Sequence, residues 1–120
     1  MELVKLSTPA LALMAVAIVG TALSGPAAAA GSAEAGQTKS VTCSACHGMD
    51  GNSLNPEWPS LAGQHESYLV KSLQSFKSGA RQNVLMSGMA LPLTDEDMVD
   101  IAAYFAAQKR AGGVADPELV

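Results

Sequence analysis

Two cysteines separated by two residues and followed at once by a histidine, Cys43-Ser44-Ala45-Cys46-His47, are the residues of this sequence best placed to do chemistry. Each thiol of such a pair can add across a vinyl group on one edge of a haem to form a thioether. The adjacent imidazole then reaches the iron from one face. The two-residue spacer sets the sulfurs at the separation of the vinyls, and the small Ser44 and Ala45 do not obstruct the ring. Three other uses of the same cysteines fit less well. A redox dithiol of the thioredoxin kind sits at a strand-to-helix junction within a βαβ pattern, and no β-alternation of useful length occurs here. A structural zinc site needs further Cys or His ligands, and His47 and His65 are the two histidines of the chain. A disulfide closing so small a loop stabilises little.

Iron held by His47 needs a sixth ligand from the opposite face of the ring, from chain that has travelled around it. Met49 is too close to His47 for that. Met98 lies on the apolar stripe of the last expected helix and reads as core. His65 opens a helix among polar neighbours, so bis-histidine ligation is disfavoured. Met86 and Met89 remain, in a segment after Arg81 that ends in Leu91-Pro92-Leu93 and reads as loop with room for one short helical turn.

The elements that must position these groups read as helices. Residues from Ala33 to Val41 are helix-compatible and lead into the cysteine motif, so a first helix is expected to end there. Met49 to Gly63 is rich in Gly, Asn, Pro and Ser, which is turn chemistry and predicts a long structured loop. Leu69, Leu73 and Phe76 recur at helical spacing and predict a second helix over His65 to Ser78, stopped at Gly79. Thr94 before Asp95-Glu96-Asp97 is an N-cap with acids in the first turn. A third helix follows with Met98, Ile101, Ala102 and Phe105 as its apolar stripe, closed by Lys109-Arg110. The expected class is all-α, three main helices plus loops around one covalently attached haem.

The opening residues read differently. Lys5, the apolar run Leu11 to Val19, the break at Gly20 to Pro26 and the small residues Ala27 to Ala30 form the pattern of an export signal with an Ala-x-Ala cut. Residues 1–30 are therefore expected to be a cleaved signal peptide, too short in its apolar core for a bilayer span, and 31–120 a monohaem domain in the periplasm without stable membrane insertion. That domain of roughly 90 residues has only Trp58, Tyr68, Phe76, Tyr104 and Phe105 as aromatics, so its own core is marginal. A haem would fill the middle. The formal charge of −4 and the lack of a Lys/Arg cluster exclude nucleic acid as a natural partner.

Taken with these motifs, the sequence resembles the bacterial class I cytochromes c, in particular the small monohaem cytochromes of the c-553 kind and one half of the tandem dihaem cytochromes c. The matching pieces are Ala35-Gly36, Cys43 to Gly48, Asp50-Gly51-Asn52, Pro59 to Gln64, Arg81 followed by Met86, and Leu93-Thr94 through Tyr104-Phe105. The resemblance implies the class I cytochrome c fold, with Cys43, Cys46, His47 and Met86 as the cofactor-binding residues and His47 and Met86 on the iron. It also implies that the Pro59 carbonyl accepts the Nδ1–H of His47, and that Gly36 lets the first and last helices cross closely against Tyr104 or Phe105. Arg81 is the best candidate for a haem propionate, with Trp58, Gln64 and Tyr68 readable equally as ordinary packing.

His/Met ligation fills both axial positions, so the expectation is an electron carrier cycling between ferric and ferrous haem c and not an enzyme. Its partners would be a redox donor and a redox acceptor. The alternatives are an electron-transfer subunit of a larger oxidoreductase complex, or a haem enzyme or gas-binding protein with a labile sixth ligand. For docking, the sequence offers a basic side (Lys71, Lys77, Arg81) and an acidic one (Asp95, Glu96, Asp97, Asp100), each readable also as a solvated helix face.

Overall fold

A computed structural model describes residues 30–112 of the protein. The leader expected over 1–30 lies, but for Ala30, outside the described residues, as does the chain beyond Gly112. The described residues form five helices and no strand: α1 (Ala33–Lys39), α2 (Val41–His47), α3 (Glu66–Ser78), α4 (Val84–Ala90) and α5 (Asp95–Ala106).

The expected first helix is two helices meeting at Ser40, and the cysteine motif is itself helical on α2 instead of following the helix. The break lies at Ser40, whose backbone leaves helical dihedrals at φ −88° and ψ 4°. Its hydroxyl donates to the Gln37 carbonyl, while its own carbonyl accepts from both the backbone N–H and the hydroxyl of Ser44. Local side-chain hydrogen bonds of this kind compete with regular helix. Ser32 caps the start of α1 by accepting from the Ala35 N–H.

The second expected helix is α3, one residue shorter at its start and stopped by Gly79 in the left-handed conformation. On α5, Thr94 accepts from the Asp97 N–H and Asp97 accepts from the Thr94 N–H, a reciprocal capping box. Met98, Ile101, Ala102 and Phe105 are buried as the stripe predicts. This helix ends at Ala106, before Lys109-Arg110, because its exit is captured elsewhere. The Gly63 N–H donates to the Phe105 carbonyl, and Asn52 holds the Lys109 carbonyl and the Ala111 N–H.

Leu69, Ile101, Ala102 and Phe105 form the core, with Cys43, Leu61, Val70, Leu73, Leu93 and Tyr104 packed against it. Each large side chain fully buried there stabilises the fold by about 1.5–3 kcal/mol. The α1–α5 crossing depends on Gly36. A Cβ at that position would lie 1.9 Å from the Asp100 carbonyl oxygen and 2.8 Å from the Tyr104 Cβ, so only glycine permits the approach. Tyr104 is thus the aromatic at the crossing. Lys39 on α1 closes it with charge: its ammonium lies 2.7 Å from the buried Asp100 carboxylate and 3.0 Å from Asp97, while Asp100 also accepts from the Ser32 N–H. Asp97 and Asp100 are therefore committed inside the molecule and do not belong to a free acidic face.

Candidate functional site

Helix α2 brings the three chemistry-bearing residues onto one turn. Cys43 and Cys46 are three apart and Cys43 and His47 four apart, so all three project from the same side. Both cysteines are half-buried and unpaired. Burial pushes the Cys43 thiol up, the opposite of what a reactive redox dithiol requires. Among the described residues no group of three or more His, Cys, Asp or Glu side chains is placed to hold a metal ion.

His47 is buried at the end of α2, and its Nδ1 lies 2.7 Å from the Pro59 carbonyl oxygen. A carbonyl only accepts, so Nδ1 carries the hydrogen and Nε2 keeps its lone pair for a metal. The carbonyl is held in place by its surroundings. Ser60, next to Pro59, accepts from the Ser53 N–H, and the Ser53 hydroxyl oxygen lies 2.9 Å from the Asn55 carbonyl and 3.3 Å from that of Cys46. The Gly51 carbonyl accepts from both Leu61 and Ala62. Gly48, at φ 87°, turns the chain out of α2 where a Cβ would meet the Asn52 carbonyl at 2.2 Å. The Tyr104 hydroxyl then donates to the Met49 carbonyl and ties this turn to α5. The Ser53–Ser60 link carries no motif that sequence reading could have caught.

The methionines separate by burial. Met98 is a fully buried core residue and Met49 is 73% exposed. Met86 and Met89 lie on α4, a two-turn helix where loop with a single short turn is expected, capped by the Asn83 side chain accepting from the Met86 N–H. Met86 is half-buried, whereas Met89 is 41% exposed. His65 stands exposed at the start of α3.

Of the residues offered for a propionate, Tyr68 and Arg81 line one cleft of about 260 Å³ together with Lys71, Ser72, Ser75 and Ala80. The Arg81 guanidinium lies over the Phe76 ring, 4.6 Å from its centre. Trp58 and Gln64 are not part of that cleft, and the Gln64 side chain accepts from the neighbouring His65 N–H. Lys77 is directed to the Leu93 carbonyl, so of the expected basic side only Lys71 and Arg81 face this cleft.

The donor set fits a covalently attached haem. Two unpaired thiols and an oriented imidazole nitrogen share one helix turn, a half-buried thioether is available on another helix, and two cations with three hydroxyls line a cleft suited to carboxylates. Among the described residues no helix is long and apolar enough to cross a membrane.

Residues 28–109 match the sequence profile of the family described as Cytochrome c. The chain is 52% identical over 84 residues to cytochrome c4 of Pseudomonas aeruginosa, covering 70% of this chain and 42% of that protein. It is 47% identical over 76 residues to cytochrome c-554(548) of Halomonas halodenitrificans, covering 61% of this chain and 92% of the relative. The fold is similar to that of reduced recombinant cytochrome c4 from Pseudomonas stutzeri, with a TM-score of 0.70 and 52% identity over 75% of this chain and 52% of that one. The chain thus spans less than half the length of the Pseudomonas aeruginosa relative and nearly all of the Halomonas one.

Proposed function

We propose that this chain, which belongs to the cytochrome c family and is an electron-transfer protein carrying covalently bound haem c, is a periplasmic carrier with His47 and Met86 as its axial ligands. Cys43 and Cys46 form the two thioethers. The observation that carries this reading is the buried His47, whose Nδ1 is fixed on the Pro59 carbonyl beside two unpaired thiols on the same helical face. Bound haem supplies a one-electron ferric/ferrous couple. The protein's own residues do the rest. The Pro59 carbonyl holds one imidazole tautomer and raises its basicity. Met86, half-buried where Met89 is exposed, offers a soft thioether that favours the reduced state. Arg81 and Lys71 supply positive charge for the propionates. With His47 and Met86 both holding the iron, no open coordination site would be left for a substrate, and redox donor and acceptor proteins would be the partners.

Export rests on the leader pattern and on where packing begins. Ala30 is exposed, whereas a Cβ at Gly31 would lie 2.2 Å from the Val99 carbonyl and Ser32 is bonded to Asp100. A cut after Ala30 therefore leaves the haem domain, 31–120, intact. The test is intact-mass measurement, under denaturing conditions, of protein from the periplasm of a host that matures c-type haem. The expected species starts at Gly31 and carries one haem, and Cys43→Ala and Cys46→Ala each weaken or abolish its retention. A wild-type mass without haem would overturn the attachment assignment, and protein retained in the cytoplasm or the membrane would overturn the localisation.

A further inference from the structure

The hydrogen bond between His47 and the Pro59 carbonyl joins two pieces of chain 12 residues apart. One residue bonds to the immediate neighbour of each partner. Ser53 makes no hydrogen bond to His47 or Pro59 themselves. Its backbone N–H donates to the hydroxyl of Ser60, next to Pro59, at 3.0 Å, and its own hydroxyl oxygen lies 3.3 Å from the carbonyl of Cys46, next to His47.

A hydroxyl has one proton to give. That of Ser53 accepts from the Asn55 N–H at 3.2 Å and faces two carbonyls, Asn55 at 2.9 Å and Cys46 at 3.3 Å. The Cys46 carbonyl belongs to the last turn of α2, where no further turn supplies an amide, so the Ser53 hydroxyl is shared between the helix and the turn that follows. The other hydrogen bonds of that turn, from Glu57 and Trp58 to Asn55, stay within it. Among the described residues, Ser53 is therefore the hydrogen-bonded link between this turn and the helix that carries both thiols and the imidazole. Just beyond, the Gly51 carbonyl fixes Leu61 and Ala62, so the far side of Pro59 is anchored as well.

We propose that Ser53 is a positioning residue for the iron-binding imidazole: bonded to Cys46 on one side and Ser60 on the other, it fixes the length and angle of the His47–Pro59 hydrogen bond and so sets the basicity of Nε2. This role rests on His47 being an axial ligand. A well-formed bond from Nδ1–H makes the opposite nitrogen a stronger donor, and a stronger donor favours the higher charge of ferric iron, so Ser53 holds the reduction potential down. Removing its hydroxyl leaves the N–H on Ser60 but releases the Cys46 carbonyl from the turn. The imidazole bond then loosens and the potential rises.

Redox titration and proton NMR of the holoprotein, matured with haem, test this. Ser53→Ala and Ser60→Ala are each expected to raise the reduction potential, and in the ferrous protein the His47 Nδ1–H resonance should move upfield and exchange with deuterium about tenfold faster, as expected for losing one hydrogen bond. Ser53→Thr, which keeps the hydroxyl, should bring these readings back towards the wild type. The double variant should shift the potential by less than the two single shifts together, because both act through one link. Gly36→Ala is the control for stability alone: it weakens the α1–α5 crossing and should leave potential and exchange unchanged. Should Ser53→Ala fail to mature, Ser60→Ala reads the same link. Readings unmoved in both serine variants, equal shifts in Ser53→Thr and Ser53→Ala, or the same shifts in Gly36→Ala overturn the role of Ser53 and leave His47 as the ligand. A wild type without a low-spin haem overturns the ligation itself, and the role of Ser53 with it.

Discussion

The two sides from which the proposed iron ligands come are built by different means. On the histidine side, α1, α2, α5 and the loop from Gly48 to Gly63 are laced together by directional bonds. His47 donates to Pro59, Ser53 bridges to Ser60, Tyr104 reaches Met49 and Lys39 reaches Asp100. On the methionine side, α4 has one side-chain cap from Asn83 and an outer face of exposed apolar residues. The first arrangement fixes a geometry that covalent attachment demands. The second leaves the helix that carries Met86 with few directional restraints, so disturbance should act on geometry on one side and on the proposed ligation on the other.

The largest effect should come from the methionine side. Met86→Ala is expected to remove the weak red-end charge-transfer absorption of ferric His/Met haem and to lower the reduction potential, while Met89→Ala leaves both nearly intact; equal losses in both variants would erase the distinction between the two residues. Next comes the crossing that supports the histidine side. Gly36→Ala drives a Cβ into the Asp100 carbonyl and should cost about 1–3 kcal/mol in denaturant unfolding, the range for overpacking, and a neutral result would mean that the helices can separate without penalty.

Acid should weaken the same crossing. The Thr94 N–H, and then Lys39, hold the Asp97 carboxyl down to about 2, and Lys39, followed by the Ser32 N–H, lowers Asp100. Both values lie below the ordinary one of about 3.9. Their stabilisation is therefore complete above that value and is lost as pH falls through the folded-state values, towards pH 2 for Asp97. Lys39 is shifted upward by the same partners, so its contribution persists through neutral pH and well into alkali. Melting temperatures between pH 6 and pH 2 should fall less steeply in Asp97→Asn than in the wild type, and parallel curves would show that the clasp adds nothing. The smallest effect belongs to α4. Gly88→Ala fills open space at an unstrained helical position and should raise stability by roughly 0.5–1 kcal/mol; a loss would mean that the side chain meets something inside the fold.

Much of this was legible in the residues. The motif, the α3 stripe with its Gly79 stop and the Thr94 cap each depend on neighbours a few positions apart, which periodicity and capping rules capture. The break at Ser40 was not, because a serine at that place is compatible with continuous helix until its hydrogen bonds are seen. Helix α4 reads from sequence as loop with room for one short helical turn, since Val84 and Gly88 are weak helix formers in so short a segment, although Asn83 three residues before Met86 is a usable cap signal. Asp100 reads from sequence as part of an acidic face, because its partners Lys39 and Ser32 are 61 and 68 residues away, beyond any local pattern. For the same reason Lys77 reads from sequence as part of a basic docking or solvated face, while its ammonium is directed to the Leu93 carbonyl.

The length of those separations matters for the order in which the molecule assembles. Closing a flexible loop costs about (3/2)RT ln n in chain entropy, close to 4 kcal/mol for a span of this size, and that cost falls before the Lys39–Asp100 pair and the Gly36 crossing can return anything. Helices α2 and α3 rest on local contacts, whereas the packing of α1 on α5 joins residues 61 and 68 apart in sequence. Until it happens, Cys43 lacks the wall of α5 against which it finally packs. The clasp thus belongs to the non-local part of the fold, and the surroundings of Cys43 are complete only when α1 and α5 have come together.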